Sequence, residues 1–266
     1  MSIGIIALFF FSGCVTQQQV KAIVAESNAA MVSTSPLTIP NGEQGETWKD
    51  VDNKIDQLIA SNPDQPILVN HLRVRQAMLL TVNKQDSLAK VRWGQIDGSA
   101  LTTERDKALL KNNECLAWWY KRASNAAPLD QKERQKTEGY IKNLQESMDG
   151  LKSPDIRIYL GTIRAQMDLK LLTSSKIDTP ERRETVVKGL SGSLERYVNL
   201  FSETDAQWAK NNWETDIMPE GMTITDLRNA SWLRQMIREF KNSAEERKLD
   251  KVVWKPEWIG DLQTGT

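Results

Sequence analysis

Histidine is all but absent from this chain: His71 is the only one among 266 residues. There are two cysteines, Cys14 and Cys115, and they stand far apart. A zinc-ligand set and a disulfide framework are both excluded. Charge of one sign is lacking too, because Lys plus Arg and Asp plus Glu number 35 each. No basic field exists to draw in nucleic acid or an anionic lipid surface, and neither partner is implied. The longest apolar run, Ile3 to Gly13, is eleven residues, against the roughly 20 that a membrane-spanning helix needs. No glycine-rich phosphate loop is present, and no cofactor or small-molecule ligand is implied.

What the chain does have is helical periodicity. Hydrophobic residues make up 39% with nine Trp, enough for a continuous core, and no segment alternates in the manner of a half-buried strand. An all-α body is expected from Trp48 to the end, residues 48–266. Trp48, Val51, Ile55 and Leu58 open it. A second helix is expected over Ile67 to Val82, after Pro63 and Pro66, and a third over Leu88 to Ile96. Ile156, Leu160, Ile163, Met167 and Leu171 form one apolar stripe, and Val187, Leu190, Leu194, Tyr197 and Phe201 another. A last helix, about Thr225 to Lys248, places Leu227, Ala230, Leu233, Ile237 and Phe240 on one side. Gly189 and Gly192 fall inside a helical stripe, where they allow close helix packing.

Pro128, Pro154 and Pro180 lie 26 residues apart. Ser153-Pro154-Asp155 and Thr179-Pro180-Glu181 are helix starts: a hydroxyl cap, a proline that loses no hydrogen bond, and an acid at the positive helix end. One further step back reaches Thr102, another candidate cap. A helix and a turn per step predict antiparallel helical hairpins, stacked either as a solenoid or as an irregular bundle.

The N-terminal run has the length of a signal-peptide core and ends in the small residues Ser12 and Gly13. Phe11-Ser12-Gly13-Cys14 resembles the lipobox of bacterial lipoproteins, with Phe11 where that family usually has Leu. The resemblance implies cleavage before Cys14, diacylglycerol on its thiol and acylation of the new amino terminus. It divides the chain into a signal peptide (1–13), a lipidated N-terminus with a flexible linker (14–47) and the helical body. Ser27 to Thr47, rich in Ser, Thr, Pro and Gly, is expected to be a tether between anchor and body. Val15 after the cysteine suggests the periplasmic face of the outer membrane if the cell has two membranes.

Residues 61–97 resemble a tetratricopeptide unit, with Pro63 before a helix pair, Ala77 and Ala89 at small-residue positions and Trp93 as the large residue of the second helix. Helical-repeat lipoproteins of this size, among them pilotins and a component of the outer-membrane assembly machine, act by holding other proteins. The resemblance implies a scaffold and transfers no catalytic or binding residue.

The remaining candidates for chemistry are few. His71 is expected to be a packed or half-exposed side chain near Arg75 rather than a catalytic one. Ser87 and Lys90 match an S-x-x-K string without its companion motifs. The segment DVDNKID from Asp50 imitates a calcium loop, but Ile55 stands at the required glycine. Glu146-Ser147 is the dipeptide that carries the general acid in lytic transglycosylases, so a peptidoglycan-active enzyme is the alternative to a scaffold. Cys115 is expected in a helix interface. The aromatic residues are the candidates for partner binding: Trp118 and Trp119, which diverge by about 100° around a helix, then Trp254 and Trp258 beside Pro256. The partner would be a protein of the cell envelope.

Overall fold

The computed structural model describes residues 18–23, 47–202, 206 and 224–249. Among them there is no strand, and the expected all-α fold is present. The helices are α1 (Thr47–Ala60), α2 (Pro66–Val82), α3 (Asp86–Gly94), α4 (Glu104–Lys111), α5 (Asn113–Ala123), α6 (Gln131–Asp149), α7 (Pro154–Thr173), α8 (Pro180–Val198) and α9 (Ile224–Glu246). The chain divides into two compact units, Met1–Asn125 and Ala126–Thr266.

In the first unit α2 is the central element. Its sequence is apolar on nearly every side through Val74, Ala77, Met78, Leu79, Leu80 and Val82, all buried, and such a helix needs neighbours all round. It has them in α1, α3, α4 and α5. Pro66 occupies its first turn without losing a hydrogen bond. The expected stripe of α1 is seated here, with Val51, Ile55 and Leu58 buried. A three-residue turn then reverses the chain, with Lys84 in the left-handed region at φ 59°. In α3, Ala89 and Trp93 are buried, and the Trp93 indole N–H donates to Thr81 Oγ1 of α2 at 3.1 Å.

One expectation is corrected in this unit. Thr103, not Thr102, caps the helix that follows, its Oγ1 accepting from the Asp106 backbone N–H at 3.1 Å. That helix is short, because the backbone turns at Asn112 and restarts as α5. The expected tether lies outside the described residues, apart from Thr47 at the start of α1. Ahead of it, residues 18–23 are helical, Ile23 is buried among Val51, Ile55, Leu58, Leu72 and Leu79, and Val20 packs on the same cluster.

In the second unit α7 plays the part of α2. The expected stripe Ile156, Leu160, Ile163 and Met167 is buried, and so are Ile158, Gly161, Thr162, Ala165, Gln166 and Leu169. More than one face is covered because α6, α8 and α9 all pack on α7. Pairings between α7 and α8 descend one helix as they ascend the other: Thr162 Oγ1 meets the Tyr197 hydroxyl at 2.8 Å, and Ser193 Oγ donates to Asp168 at 2.7 Å. The two helices are antiparallel. On α8 the stripe Val187, Leu190, Leu194 and Tyr197 is buried, and on α9 so are Ala230, Leu233, Ile237 and Phe240. The side chain of Leu227 lies outside the described residues.

The proline spacing marks starts less uniformly than expected. Thr179 caps α8 by accepting from the Arg182 N–H at 3.2 Å, whereas Ser153 makes no side-chain capping bond to α7. At α6 the start is set by Asp130, which exchanges hydrogen bonds with Glu133 in a capping box; Pro128 lies before it. The two glycines of α8 also differ. A Cβ on Gly189 would come within 2.5 Å of Leu172 on α7, so this glycine is the close approach that was expected. A Cβ on Gly192 would meet only Arg196 of its own helix, at 3.4 Å. Gly192→Ala is therefore expected to raise stability by about 0.5–1 kcal/mol through helix propensity, and Gly189→Ala to yield no such gain. Urea denaturation of both variants checks the contrast.

Candidate functional site

The second unit contains a cleft of about 190 Å³ among α6, α7 and α8. Helical geometry builds its walls. Arg157, Gly161, Arg164 and Asp168 recur at four- and three-residue intervals and share one face of α7. Ser193 and Arg196 project from α8, and Gln145 and Asp149 from α6. Gly161 permits the closeness of this wall, since a Cβ there would reach Leu200 Cδ1 at 2.1 Å.

The charges of the cleft are unevenly satisfied. Asp168, 13% exposed, accepts from Ser193 at 2.7 Å and pairs with Arg196 at 3.4 Å. Arg164 donates through Nη1 to the Gln145 side-chain oxygen. Its Nε is buried without a hydrogen-bond partner, and burial holds its guanidinium below the ordinary arginine range, with Asp168 opposing and Arg196 adding to that effect. Arg157 is exposed at the mouth. Among the described residues no group of three or more His, Cys, Asp and Glu is placed to hold a metal ion.

His71 is half-exposed and lies beside Arg75, as expected, and it also reaches across to another helix. Its Nδ1 lies 2.6 Å from Asp106 Oδ2, and its Nε2 accepts from Arg75 Nε at 3.1 Å. An arginine Nε–H only donates, so Nε2 carries no proton and Nδ1–H is the donor to Asp106. Both ring nitrogens are engaged, and the ring works as a latch between α2 and α4. Asp106 is buried at 4% exposure. Burial pushes its carboxyl up, but the hydrogen bonds from His71 and Thr103 and the charge of Arg105 hold it below the usual carboxylate value. Burial and the nearby Arg105 bring Arg75 down to about 10 despite Asp106.

The other residues singled out in the sequence are scattered. Glu146 is exposed on α6, 3.9 Å from Lys142, and does not line the cleft. Ser87 and Lys90 are exposed on α3. Asp50 to Asp56 lie within α1, as a helix start and not as a calcium loop. Cys115 is buried, and burial pushes its thiol up to about 12. Trp119 is buried at 3% exposure while Trp118 is half-buried, the rings 6.3 Å apart and tilted by 38°. Cys14, Trp254 and Trp258 lie outside the described residues. No family model, no curated protein and no solved structure matches the chain.

The divergence of the two indoles gives a direct prediction. Trp119→Ala should cost about 3–5 kcal/mol of stability, the range for a buried large-to-small change, and Trp118→Ala no more than about 1 kcal/mol. Equal losses in thermal melts would place both rings in the core.

Glu239 on α9 gives another. Burial pushes its carboxyl up to about 7, against the opposing hydrogen bond from Gln235. The folded state thus holds a proton that the unfolded chain releases near the ordinary glutamate value. The stability this confers is complete below that value, about 4.5, and is lost as pH rises through about 7. Allowing for partial exposure, the difference is about 2 kcal/mol. Glu239→Gln should flatten stability over this interval and exceed wild type at pH 8, measured by urea denaturation across pH.

Proposed function

We propose that this protein is a lipid-anchored scaffold of the bacterial cell envelope that binds another envelope protein. The anchor rests on the lipobox-like Phe11-Ser12-Gly13-Cys14 and the short apolar run before it. The observation that carries the binding role is the Trp118–Trp119 pair on α5, which keeps one indole in the core and leaves its neighbour half-buried. Indole side chains at a surface are frequent hot spots, since they bury much area for little lost freedom. The transglycosylase reading loses support from the setting of Glu146, solvated and beside a lysine rather than held in a cleft where burial would keep it protonated.

The position of residues 18–23 adds a distance to this reading. Only Val15, Thr16 and Gln17 separate Cys14 from a helical segment seated in the first unit. At 3.3–3.6 Å per residue the span is at most about 14 Å. An anchor at Cys14 would hold that unit against the bilayer surface, closer than a tether over 14–47 would.

Metabolic labelling with a fatty acid and crosslinking in the native envelope test the proposal together. Label is expected on wild type and to be lost in Cys14→Ser, which should also leave the membrane fraction while keeping its melting temperature. A crosslinked partner identified by mass spectrometry should be captured less well by Trp118→Ala, by at least about 2 kcal/mol of affinity if this indole is a hot spot. Equal label on Cys14→Ser overturns the anchor. Undiminished capture by Trp118→Ala overturns the aromatic contact.

A further inference from the structure

We infer that the cleft among α6, α7 and α8 is a binding site for a small polyvalent oxyanion, a phosphate or a dicarboxylate, received by Arg157 and Arg164 with Arg196 on the opposite wall. The argument starts from the charge balance. Three arginines and two aspartates line the cleft. Asp168 is already matched by Arg196 and Ser193, and Asp149, at the α6 end, accepts from the Gln145 amide. Arg157 and Arg164 then face the cleft, and neither has an ion pair among the described residues.

Arg164 supplies the second observation. A buried N–H without an acceptor costs on the order of 1–3 kcal/mol, and a native structure keeps one only where something else compensates. Here the N–H is the Nε of a guanidinium on a cleft wall. An oxyanion in the cleft would offset the repulsion between Arg164 and Arg196 and, by drawing the guanidinium toward the cleft, give the buried Nε–H an acceptor it does not have now. Arginine suits this use, because its planar fork of donors matches the paired oxygens of carboxylate and phosphate.

Size and access agree with the assignment. The cleft volume, about 190 Å³, is far above the roughly 10–15 Å³ that admits a single water, and the exposed Arg157 leaves a path from solvent. The second amide N–H of Gln145 and the amide of Asn199 offer further donors. Asp149 and Asp168 also set a limit: they repel an anion that is not held by the arginines, so binding should depend steeply on the guanidinium groups and on salt.

The test is calorimetric titration of the full chain in non-ionic detergent at low ionic strength, with inorganic phosphate and with succinate as probes and sodium chloride as the control. At least one probe should bind saturably with one site per chain and raise the melting temperature. Arg164→Gln should weaken that binding at least about tenfold, and Arg157→Gln, at an exposed position that leaves the fold unchanged, several-fold. Should Arg164→Gln fail to fold, the Arg164 Nε–H resonance of the wild type replaces it and should shift on titration. Preference for phosphate assigns a phosphoryl ligand, preference for succinate a carboxylate ligand, and equal binding a general divalent oxyanion. Absence of saturable binding by both probes up to about 10 mM, or wild-type affinity in both arginine variants, overturns the inference. Neither result bears on the scaffold reading, which rests on the first unit and the N-terminal cysteine.

Discussion

Two helices, each buried on more than one face, organise the two units of this protein. An amphipathic helix needs one partner; α2 and α7 are buried round most of their circumference, so each must be surrounded before its unit is stable. Each CH₂ removed from water contributes roughly 0.8 kcal/mol, and α2 alone buries three leucines and three valines besides Ala77 and Met78. The shorter elements follow from that demand. α3, α4 and α5 are pieces of 9, 8 and 11 residues, below the length at which an isolated helix persists, and they form because α2 offers each of them a face.

Surrounding a helix also traps its polar side chains, and the two central helices solve this in the same local way. Thr81 Oγ1 donates to Ala77 O, Thr162 Oγ1 to Ile158 O and Asn70 Nδ2 to Pro66 O, each one turn back along its own helix at 2.7–2.8 Å. The same groups then accept from outside: Thr81 from Trp93, Thr162 in its bond with the Tyr197 hydroxyl, Asn70 Oδ1 from the Asp97 backbone N–H at 2.7 Å. Each buried polar group thus marks which neighbour belongs at that height, a function that apolar packing, tolerant of sliding, serves poorly. The His71 latch adds a charged version of this device between α2 and α4.

Helix positions and core faces were legible because apolar spacing reports one stripe at a time. The α8 stripe from Val187 to Tyr197 and the α9 stripe from Ala230 to Phe240 are seated as their spacing requires. Periodicity was less informative for α7, whose second buried face is written in Gly161, Thr162, Ala165 and Gln166, residues that are small or polar and raise no hydrophobic signal. The cleft was invisible for the same reason. Arg164 and Asp168 look like the solvated side of an amphipathic helix until α6 and α8 are known to close over them, with Arg157 left exposed beside them. Asp106, too, became a partner of His71 only through tertiary placement, 35 residues away in sequence.

The docked segment at residues 18–23 bears on how firmly the proposed anchor would hold the body. Two side chains carry this docking: full burial of an isoleucine contributes about 1.5–3 kcal/mol, and Val20, half-buried, adds less. A segment held by so small a contact stays seated when nothing pulls on it, and gives way before α1 or α2 does, since those helices carry the remainder of the cluster. With lipid at Cys14, tension between bilayer and body would therefore act first on the Ile23 contact. Its release would lengthen the connection from three residues to the whole stretch before Thr47, so the distance between membrane and body would be set by the seating of one isoleucine side chain.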